Sequence, residues 1–165
     1  MSDLSEAPAP SICTCAAIRQ VSRHVTQLYD ACLAPFGLTV NQFSILSRLR
    51  RSGPRSINTL AREMLVDRTT LGRNVRPLER EGLLELAIDD ADKRSWALTL
   101  TPAGIKRVDS AREGWKKAQQ RFEEAYGAQR AVDLRNLLAA AVKTELHVNE
   151  KQPAQPRRST RSKSR

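Results

Sequence analysis

A segment from Asp67 to Gly82 carries side chains that can read a nucleic acid. Arginine can donate two hydrogen bonds to a guanine, asparagine can pair with an adenine, and threonine can reach a phosphate or a thymine methyl group. Asp67 is a good N-cap, so we expect a helix with a buried apolar stripe and an outward polar face. A solvated charged face is the alternative interpretation. The residues predicted to contact bases or phosphates are Arg68, Thr69, Thr70, Arg73, Asn74 and Arg76.

Three cysteines, Cys13, Cys15 and Cys32, lie in the first fifth of the chain. Their odd number and crowding exclude a disulfide framework. A thiol near a helix N-terminus acquires thiolate character from the helix dipole, which is a property of oxidant-sensing cysteines. Three interpretations stay open: small buried apolar residues, a redox site, or a metal site. Metal binding is the weakest, because only His24 and His147 could add histidine ligands, and we expect no bound metal.

The sequence carries no pattern of an enzyme. It has no glycine-rich phosphate loop, no HExxH motif and no serine nucleophile elbow, and its two histidines have no acidic or nucleophilic partner pattern. We therefore expect neither enzymatic activity nor a cofactor.

The 165-residue chain has a formal net charge of +10, which favours an anionic partner. From Lys151 onward there are six basic residues and no acid, so residues 1–150 keep only +4. The longest apolar run, Leu137 to Val142, is far shorter than the roughly 20 residues that span a bilayer, and the N-terminal residues do not have the pattern of a signal peptide. We expect a cytoplasmic protein with no membrane partner.

Apolar periodicity and capping signals predict the elements that position these side chains. Thr39 and Gln42 have the spacing of a capping box, and Thr101 followed by Pro102 is a strong helix start. A polar loop, 89–94, separates two runs typical of strands. The predicted helices are 14–34, 40–51, 57–64, 67–81, 102–127 and about 128–148, and the predicted strands are 83–88 and 95–100.

This order of elements predicts a mainly α fold with a two-stranded β wing, a winged helix-turn-helix between N- and C-terminal dimerisation helices. The terminal helices have apolar faces and little else in the chain to cover them, so we expect a homodimer. Two recognition helices about 34 Å apart would meet successive major grooves of a palindromic DNA operator. The predicted division is a flexible leader 1–13, a domain 14–148 with dimerisation helices in 14–36 and 102–148, a DNA-binding part 38–101, and a basic disordered tail 149–165.

Two motifs resemble the MarR family of bacterial regulators over about residues 14–148. Residues 92–104, DKRSWALTLTPAG, are similar to the wing signature D-x-R-[SA]-x-x-L-x-L-T-x-x-G of that family. Residues 66–71, VDRTTL, and 78–83, LEREGL, are similar to its recognition helix and exit. Asn74 and Pro77 depart from the residues usual there, so the operator sequence does not follow from the resemblance.

The resemblance implies a sequence-specific regulator, a repressor that binds a palindromic operator as a homodimer. It implies that Arg94 enters the minor groove and that Asp92 supports Arg94 through a bidentate pair. For Lys93, a phosphate contact and plain solvation stay open. The alternative function is a sequence-independent or architectural nucleic-acid binder driven by the basic tail.

The same resemblance implies release by a small ligand, phenolic or another metabolite, or by cysteine oxidation. Effectors in this family lodge where the dimerisation helices meet the winged part, and some family members sense hydroperoxides through a cysteine near the start of the first helix. Core or surface positions are the alternative interpretation of each pocket residue. The residues expected to line an effector pocket are Arg23, His24, Gln27, Tyr29, Phe43, Arg112 and Trp115.

Overall fold

Helices dominate the part of the chain that the structure, a computed structural model, describes, namely residues 13–88 and 96–145. The mainly helical fold with a β wing is the predicted one. A 3-10 turn, Ala34–Phe36, joins the first two helices. In chain order the elements are α1 (Thr14–Leu33), α2 (Val40–Ser52), β1 (Arg55–Ser56), α3 (Ile57–Glu63), α4 (Arg68–Arg80), β2 (Leu84–Ile88), β3 (Trp96–Leu100), α5 (Pro102–Tyr126) and α6 (Ala128–Lys143).

The helix starts predicted at Thr39 and Thr101 are confirmed by their caps. The Gln42 amide donates to Thr39 Oγ1 at 3.3 Å and the Thr39 amide donates to Gln42 Oε1 at 2.9 Å, which is a complete capping box. Thr101 Oγ1 accepts from the Gly104 amide at 3.0 Å, and Pro102 is the first residue of α5. The sixth helix ends at Lys143, earlier than the predicted residue 148, because Thr144 adopts an extended conformation.

The wing is a three-stranded antiparallel sheet in the order β1-β3-β2. The predicted hairpin is present, with Leu86 opposite Leu98 in the β2–β3 register. The additional strand β1 was not predicted. Its two residues pair with the other edge of β3, Arg55 opposite Leu98 and Ser56 opposite Ala97, so the sheet is broader than the predicted two-stranded wing.

The core lies between the helix-turn-helix and the wing. Leu46 of α2, Leu60 of α3, Leu78 of α4 and Leu98 of β3 are fully buried. The buried apolar stripe predicted for the fourth helix is confirmed, and its residues are Leu71, Val75 and Leu78. This core fixes the orientation of α4 relative to the wing.

Two glycines of the long helix α5 lie very close to the backbone of neighbouring segments. A Cβ at Gly104 would collide with the carbonyl oxygen of Leu83, and one at Gly114 would lie 2.6 Å from the carbonyl oxygen of Cys32. Between these points, Arg107 Nη1 donates to the Phe36 carbonyl at 3.2 Å. The first contact joins α5 to the residues that follow α4, and the second joins it to α1.

The apolar faces of α1 and α6 remain open in the single chain. Ile18 and Val21 of α1 are each 46% exposed, and Leu137 and Val142 of α6 are 70% and 64% exposed. Ala131 is the buried residue of α6 within the described part of the chain. Within residues 13–88 and 96–145, no helix combines the length and apolar character needed to cross a membrane.

Candidate nucleic-acid interface

The start of α4 is organised by Asp67. Its Oδ1 accepts from the Thr70 amide at 2.8 Å, and its Oδ2 accepts from the Thr70 hydroxyl at 2.6 Å. These two hydrogen bonds, the hydroxyl bond first, hold the pKa of Asp67 below its ordinary value. The cap therefore stays ionised at the positive end of the helix dipole and fixes the first turn of α4.

The outer face of α4 carries several positive charges. Arg68, Thr69, Arg73 and Arg76 are exposed. Within the described ranges, no carboxylate forms an ion pair with any of the three arginines. Their guanidinium groups are therefore available for phosphates or base edges.

Two of the residues predicted to contact DNA are engaged inside the helix. The Thr70 hydroxyl donates to Asp67, and Asn74 Nδ2 donates to the Thr70 carbonyl at 3.0 Å. Asn74 is half-buried. This bond uses one of the two Nδ2 hydrogens of Asn74, so the second hydrogen and the acceptor oxygen remain for the two hydrogen bonds by which an asparagine reads adenine.

A further arginine joins this face. A shallow surface pocket around Pro77 is lined by Arg73, Arg76 and Arg80 with Glu79. Arg80 was not among the predicted contacts, because it lies in the last turn, where a basic residue is explained by the helix dipole alone. The helical repeat from Arg73 through Arg76 to Arg80 was the available signal.

The turn between α3 and α4 contains Leu65 in a left-handed conformation, with φ of 53°. Leucine rarely adopts this conformation, because its Cβ lies too close to the following carbonyl. The side chain is 71% exposed. The sequence analysis did not predict this unusual backbone position in the turn of the helix-turn-helix.

Hydrogen bonds connect the base of the wing to the residues that follow α4. The Thr101 hydroxyl donates to the Gly82 carbonyl at 2.6 Å, and the Thr101 amide donates to the Leu83 carbonyl at 3.2 Å. The predicted wing residues Asp92, Lys93 and Arg94 lie outside the described residues. The strands that lead to them are held in a fixed relation to α4.

The residues predicted for an effector pocket do not all meet. Phe43 and Trp115 stack with ring centres 6.5 Å apart, and with Arg112 they line a cavity of about 630 Å³ between α2 and α5. Tyr29 lines a different cavity. The exposed residues Arg23, His24 and Gln27 line neither. The cavity between α2 and α5, here called the aromatic–arginine cavity, is completed by Ser44, Ser47, Arg48, Arg50 and Arg51.

Tyr29 faces a mainly apolar cavity of about 450 Å³ between α1, α5 and α6, here called the interhelical cavity. Its hydroxyl donates to Gln119 Oε1 at 2.5 Å, and Gln119 Nε2 donates to Glu123 Oε1 at 2.8 Å. Arg135 Nη1 of α6 donates to the same Glu123 oxygen at 3.1 Å. Burial is the main cause that raises the pKa of Tyr29 above its ordinary value. The chain of hydrogen bonds joins the three helices.

The three cysteines differ in their exposure to solvent. Cys13 and Cys15, at the start of α1, are exposed, whereas Cys32 near its end is buried. Among the described residues, no three histidine, cysteine or acidic side chains form a group that could hold a metal ion. A thiol reaction with an oxidant in solution would therefore begin at the start of α1.

The chain is similar to transcriptional regulators in sequence and in fold. A model of the MarR family matches residues 36–95. The transcriptional activatory protein BadR of Rhodopseudomonas palustris is 32% identical over 95 residues, which are 55% of this chain and 50% of BadR. The structure of the M. tuberculosis transcriptional regulator MosR has a TM-score of 0.68 and 30% identity, and the match covers 82% of this chain and 100% of the MosR chain.

A DNA-bound structure is also among the similar ones. The transcriptional repressor CouR, solved with a 23-mer DNA duplex, has a TM-score of 0.71 and 25% identity over 79% of this chain and 93% of the CouR chain. The chain spans about half the length of BadR. The family match includes the helix-turn-helix and β2 and ends before β3, and the structural matches to MosR and CouR cover 82% and 79% of this chain.

Proposed function

Because the chain belongs to the MarR family of DNA-binding transcriptional regulators, we propose that it represses transcription by binding a palindromic operator as a homodimer. Release from the operator would follow the binding of a small effector, phenolic or another metabolite, or the oxidation of a cysteine. MarR-family proteins are transcription factors rather than enzymes.

The main support for this proposal is the arrangement of side chains on the capped helix α4. Its buried stripe anchors it to the core, and Arg68, Arg73 and Arg76 extend from its other side with no ion-pair partner among the described residues. In this proposal the three arginines bind phosphates and guanine edges in the major groove. Thr69 contacts a phosphate or a thymine methyl group. Thr70 serves mainly to hold the helix cap, and Asn74 keeps a donor and an acceptor with which to pair with an adenine.

The wing would bind next to the major groove. Arg94 enters the minor groove and Asp92 holds its guanidinium in place, while Lys93 binds a phosphate. The hydrogen bonds of Thr101 to Gly82 and Leu83 support this arrangement, because they fix the base of the wing relative to α4.

A second copy of the chain would cover the apolar faces of α1 and α6. Leu137 and Val142 are 70% and 64% exposed in the single chain, which is costly for large aliphatic side chains in one contiguous region. A two-fold dimer buries the same face on both chains and places two α4 helices on one side of the DNA, about 34 Å apart.

The effector would bind in the aromatic–arginine cavity. Phe43 and Trp115 provide the aromatic wall and Arg112 a charge. The cavity lies between α2, which leads into the helix-turn-helix, and α5, so a ligand there can alter the angle between them. Oxidation at Cys13 or Cys15, exposed at the start of α1, is the other trigger in the proposal.

The direct test is operator affinity measured by fluorescence anisotropy, on a sequence selected from random DNA by the full chain. Arg73→Ala and Arg94→Ala should each cost about 1–3 kcal/mol at the operator and much less on random DNA. Arg130→Ala, which removes an exposed arginine of α6, should leave both affinities unchanged.

Deletion of 151–165 separates the proposal from its rival, a sequence-independent binder driven by the basic tail. A specific regulator keeps its preference for the operator after this deletion and shows a shallower dependence on salt. Loss of operator binding with the tail, combined with no effect of Arg73→Ala and Arg94→Ala, would contradict the proposal.

The redox trigger is tested by operator affinity with and without peroxide, in the wild type and in Cys13→Ser, Cys15→Ser and Cys32→Ser. An effect of peroxide that one serine variant abolishes supports oxidation. The same affinity in all samples removes oxidation and leaves a small ligand as the trigger.

A further inference from the structure

The aromatic–arginine cavity combines a flat aromatic surface with many hydrogen-bond donors for an anion. Trp115 is 38% exposed, and its ring lies nearly parallel to that of the buried Phe43, at an angle of 18°. Ser44 and Ser47 lie on the cavity wall formed by α2. The arginines of the lining are Arg48, Arg50 and Arg51 of α2 and Arg112 of α5.

The positive charge of this cavity is only partly balanced. Asp109 is shared by two arginines, with Arg50 at 3.4 Å and Arg112 at 3.5 Å. Glu63 is likewise shared, by Arg48 at 3.8 Å and by Arg55 of β1 at 3.4 Å.

Arg51, in the last turn of α2, forms no ion pair within the described residues. Neither Asp109 nor Glu63 lines the cavity. The four lining guanidinium groups thus exceed these two carboxylates by two positive charges.

We propose that this cavity binds a planar aromatic compound that carries a phosphoryl dianion, as a nucleoside monophosphate does. A phosphomonoester carries close to two negative charges at neutral pH, which matches the excess of two guanidinium groups. The planar fork of arginine donates two parallel hydrogen bonds to phosphate oxygens, and serine hydroxyls add further donors. Trp115, a partly exposed aromatic residue of the lining, offers a surface on which the ring can stack.

The charge excess also distinguishes this ligand from simpler anions. An aromatic monocarboxylate would balance one of the two positive charges, and a DNA phosphodiester carries a single charge per phosphate. A bare phosphate would leave the face of Trp115 uncovered. The site is open to solvent, and its volume of about 630 Å³ leaves room for a group larger than an inorganic anion.

This inference rests on the proposed function in one respect, because it names the chemical class of the effector. Its test begins without DNA. Isothermal titration calorimetry of the full chain uses adenosine 5′-monophosphate as the probe, with adenosine, inorganic phosphate and benzoate as comparison ligands. We expect the monophosphate to bind at least tenfold more tightly than each of the other three.

Arginine variants test whether the monophosphate binds in the aromatic–arginine cavity. Arg51→Gln and Arg112→Gln should each weaken monophosphate binding about tenfold, because each removes one charge-assisted fork. Arg130→Gln is the matched control, since Arg130 is an exposed arginine of α6 that stacks on Tyr126 away from this cavity. In a Trp96→Phe background, quenching of the remaining Trp115 fluorescence should accompany binding.

Three results would overturn the inference. The first is equal or tighter binding of benzoate, and the second is monophosphate binding that Arg51→Gln and Arg112→Gln leave unchanged. The third is that these two variants weaken binding of a duplex DNA in the absence of nucleotide as much as they weaken the monophosphate, which would make the arginines DNA contacts.

The operator assay separates this inference from the proposed function. If the monophosphate binds at the cavity and the operator complex is unaffected, the ligand class stands and the effector role fails. If a phenolic compound releases the operator and the monophosphate does not bind, the effector role stands and the ligand class is wrong.

Discussion

The winged part of the chain, from α2 to β3, buries large apolar side chains within the single chain, whereas the terminal helices α1 and α6 leave several of theirs exposed. In the winged part, α2, α3, α4 and β3 each contribute leucines that are fully buried within the single chain. In α6, Leu137 and Val142 are more than half exposed, and in α1, Ile18 and Val21 are each 46% exposed. A chain of hydrogen bonds through Tyr29, Gln119, Glu123 and Arg135 joins α1, α5 and α6.

The difference shows which part of the fold depends on a partner. A core that is closed in one chain keeps the recognition helix ordered whether or not a second chain is present. An exposed apolar face stabilises the fold only when another surface covers it and removes it from water. We therefore expect the folding of the winged part and the association of two chains to be separable by mutation, as follows.

Leu78→Ala should have the largest effect on folding. Leu78 is fully buried in α4, and truncation of such a leucine costs about 2–5 kcal/mol through lost burial and the cavity left behind. Urea unfolding at fixed protein concentration measures the loss. A change below about 1 kcal/mol would mean that the winged core is not closed in the single chain.

Leu137→Lys should affect association and leave the winged core intact. A charge in the centre of the proposed dimer face should raise the dissociation constant of the dimer at least about tenfold, as measured by analytical ultracentrifugation. Ile88→Lys is the matched control, because Ile88 is also an exposed aliphatic residue, at 56%, but lies in β2. If both variants dissociate to the same extent, the dimer does not use the α6 face.

Asp67→Ala should cause a smaller, local loss. Without the cap, the first turn of α4 frays, so the melting temperature falls by about 2–5 °C and operator affinity falls several-fold. Asp67→Asn, which retains an accepting oxygen, is the control and should lose much less. Because its hydrogen bonds lower the pKa of Asp67, the stabilisation by this cap is present above the ordinary pKa of an aspartate and is lost as the pH falls through the lowered value.

Tyr29→Phe should have the smallest effect at neutral pH, a loss of about 0.5–1 kcal/mol for one hydrogen bond. Burial raises the pKa of Tyr29, so the fold favours the neutral phenol. The contribution of this group is complete below the ordinary value of 10.0 and declines as the pH rises through the raised value. Urea midpoints of the wild type should fall more steeply above pH 10 than those of the Phe variant. Equal slopes would contradict the role of Tyr29.

The sequence predicts this fold well wherever the signal is local. The capping box at Thr39, the N-cap at Asp67 and the start of α5 at Thr101 are each set by contacts three residues apart, so they can be recognised in one sequence. The strand β1 could not be predicted, because Arg55 and Ser56 are too few for an alternating pattern and their pairing with β3 is a tertiary contact.

The candidate sites follow the same rule. The exposed arginines of α4 are predictable, since the helical period separates them from the buried stripe. The predicted effector residues do not form one site, since some line the aromatic–arginine cavity, Tyr29 lines the interhelical cavity and the others line neither. The reason is that periodicity identifies the face of a helix and not the element that packs against it. Arg50 and Arg51 were missed, since basic residues in the last turn of α2 are explained by the helix dipole alone.

Gly104 and Gly114 impose a limit on how the sequence of α5 can vary. Helix propensity alone favours alanine over glycine at both positions, by about 1 kcal/mol each. The carbonyl oxygens of Leu83 and Cys32 nevertheless leave no space for a methyl group. In a saturation mutagenesis of α5 selected for function, these two residues should tolerate substitution no better than a fully buried leucine. The smallest side chains of the helix would then be among its most constrained.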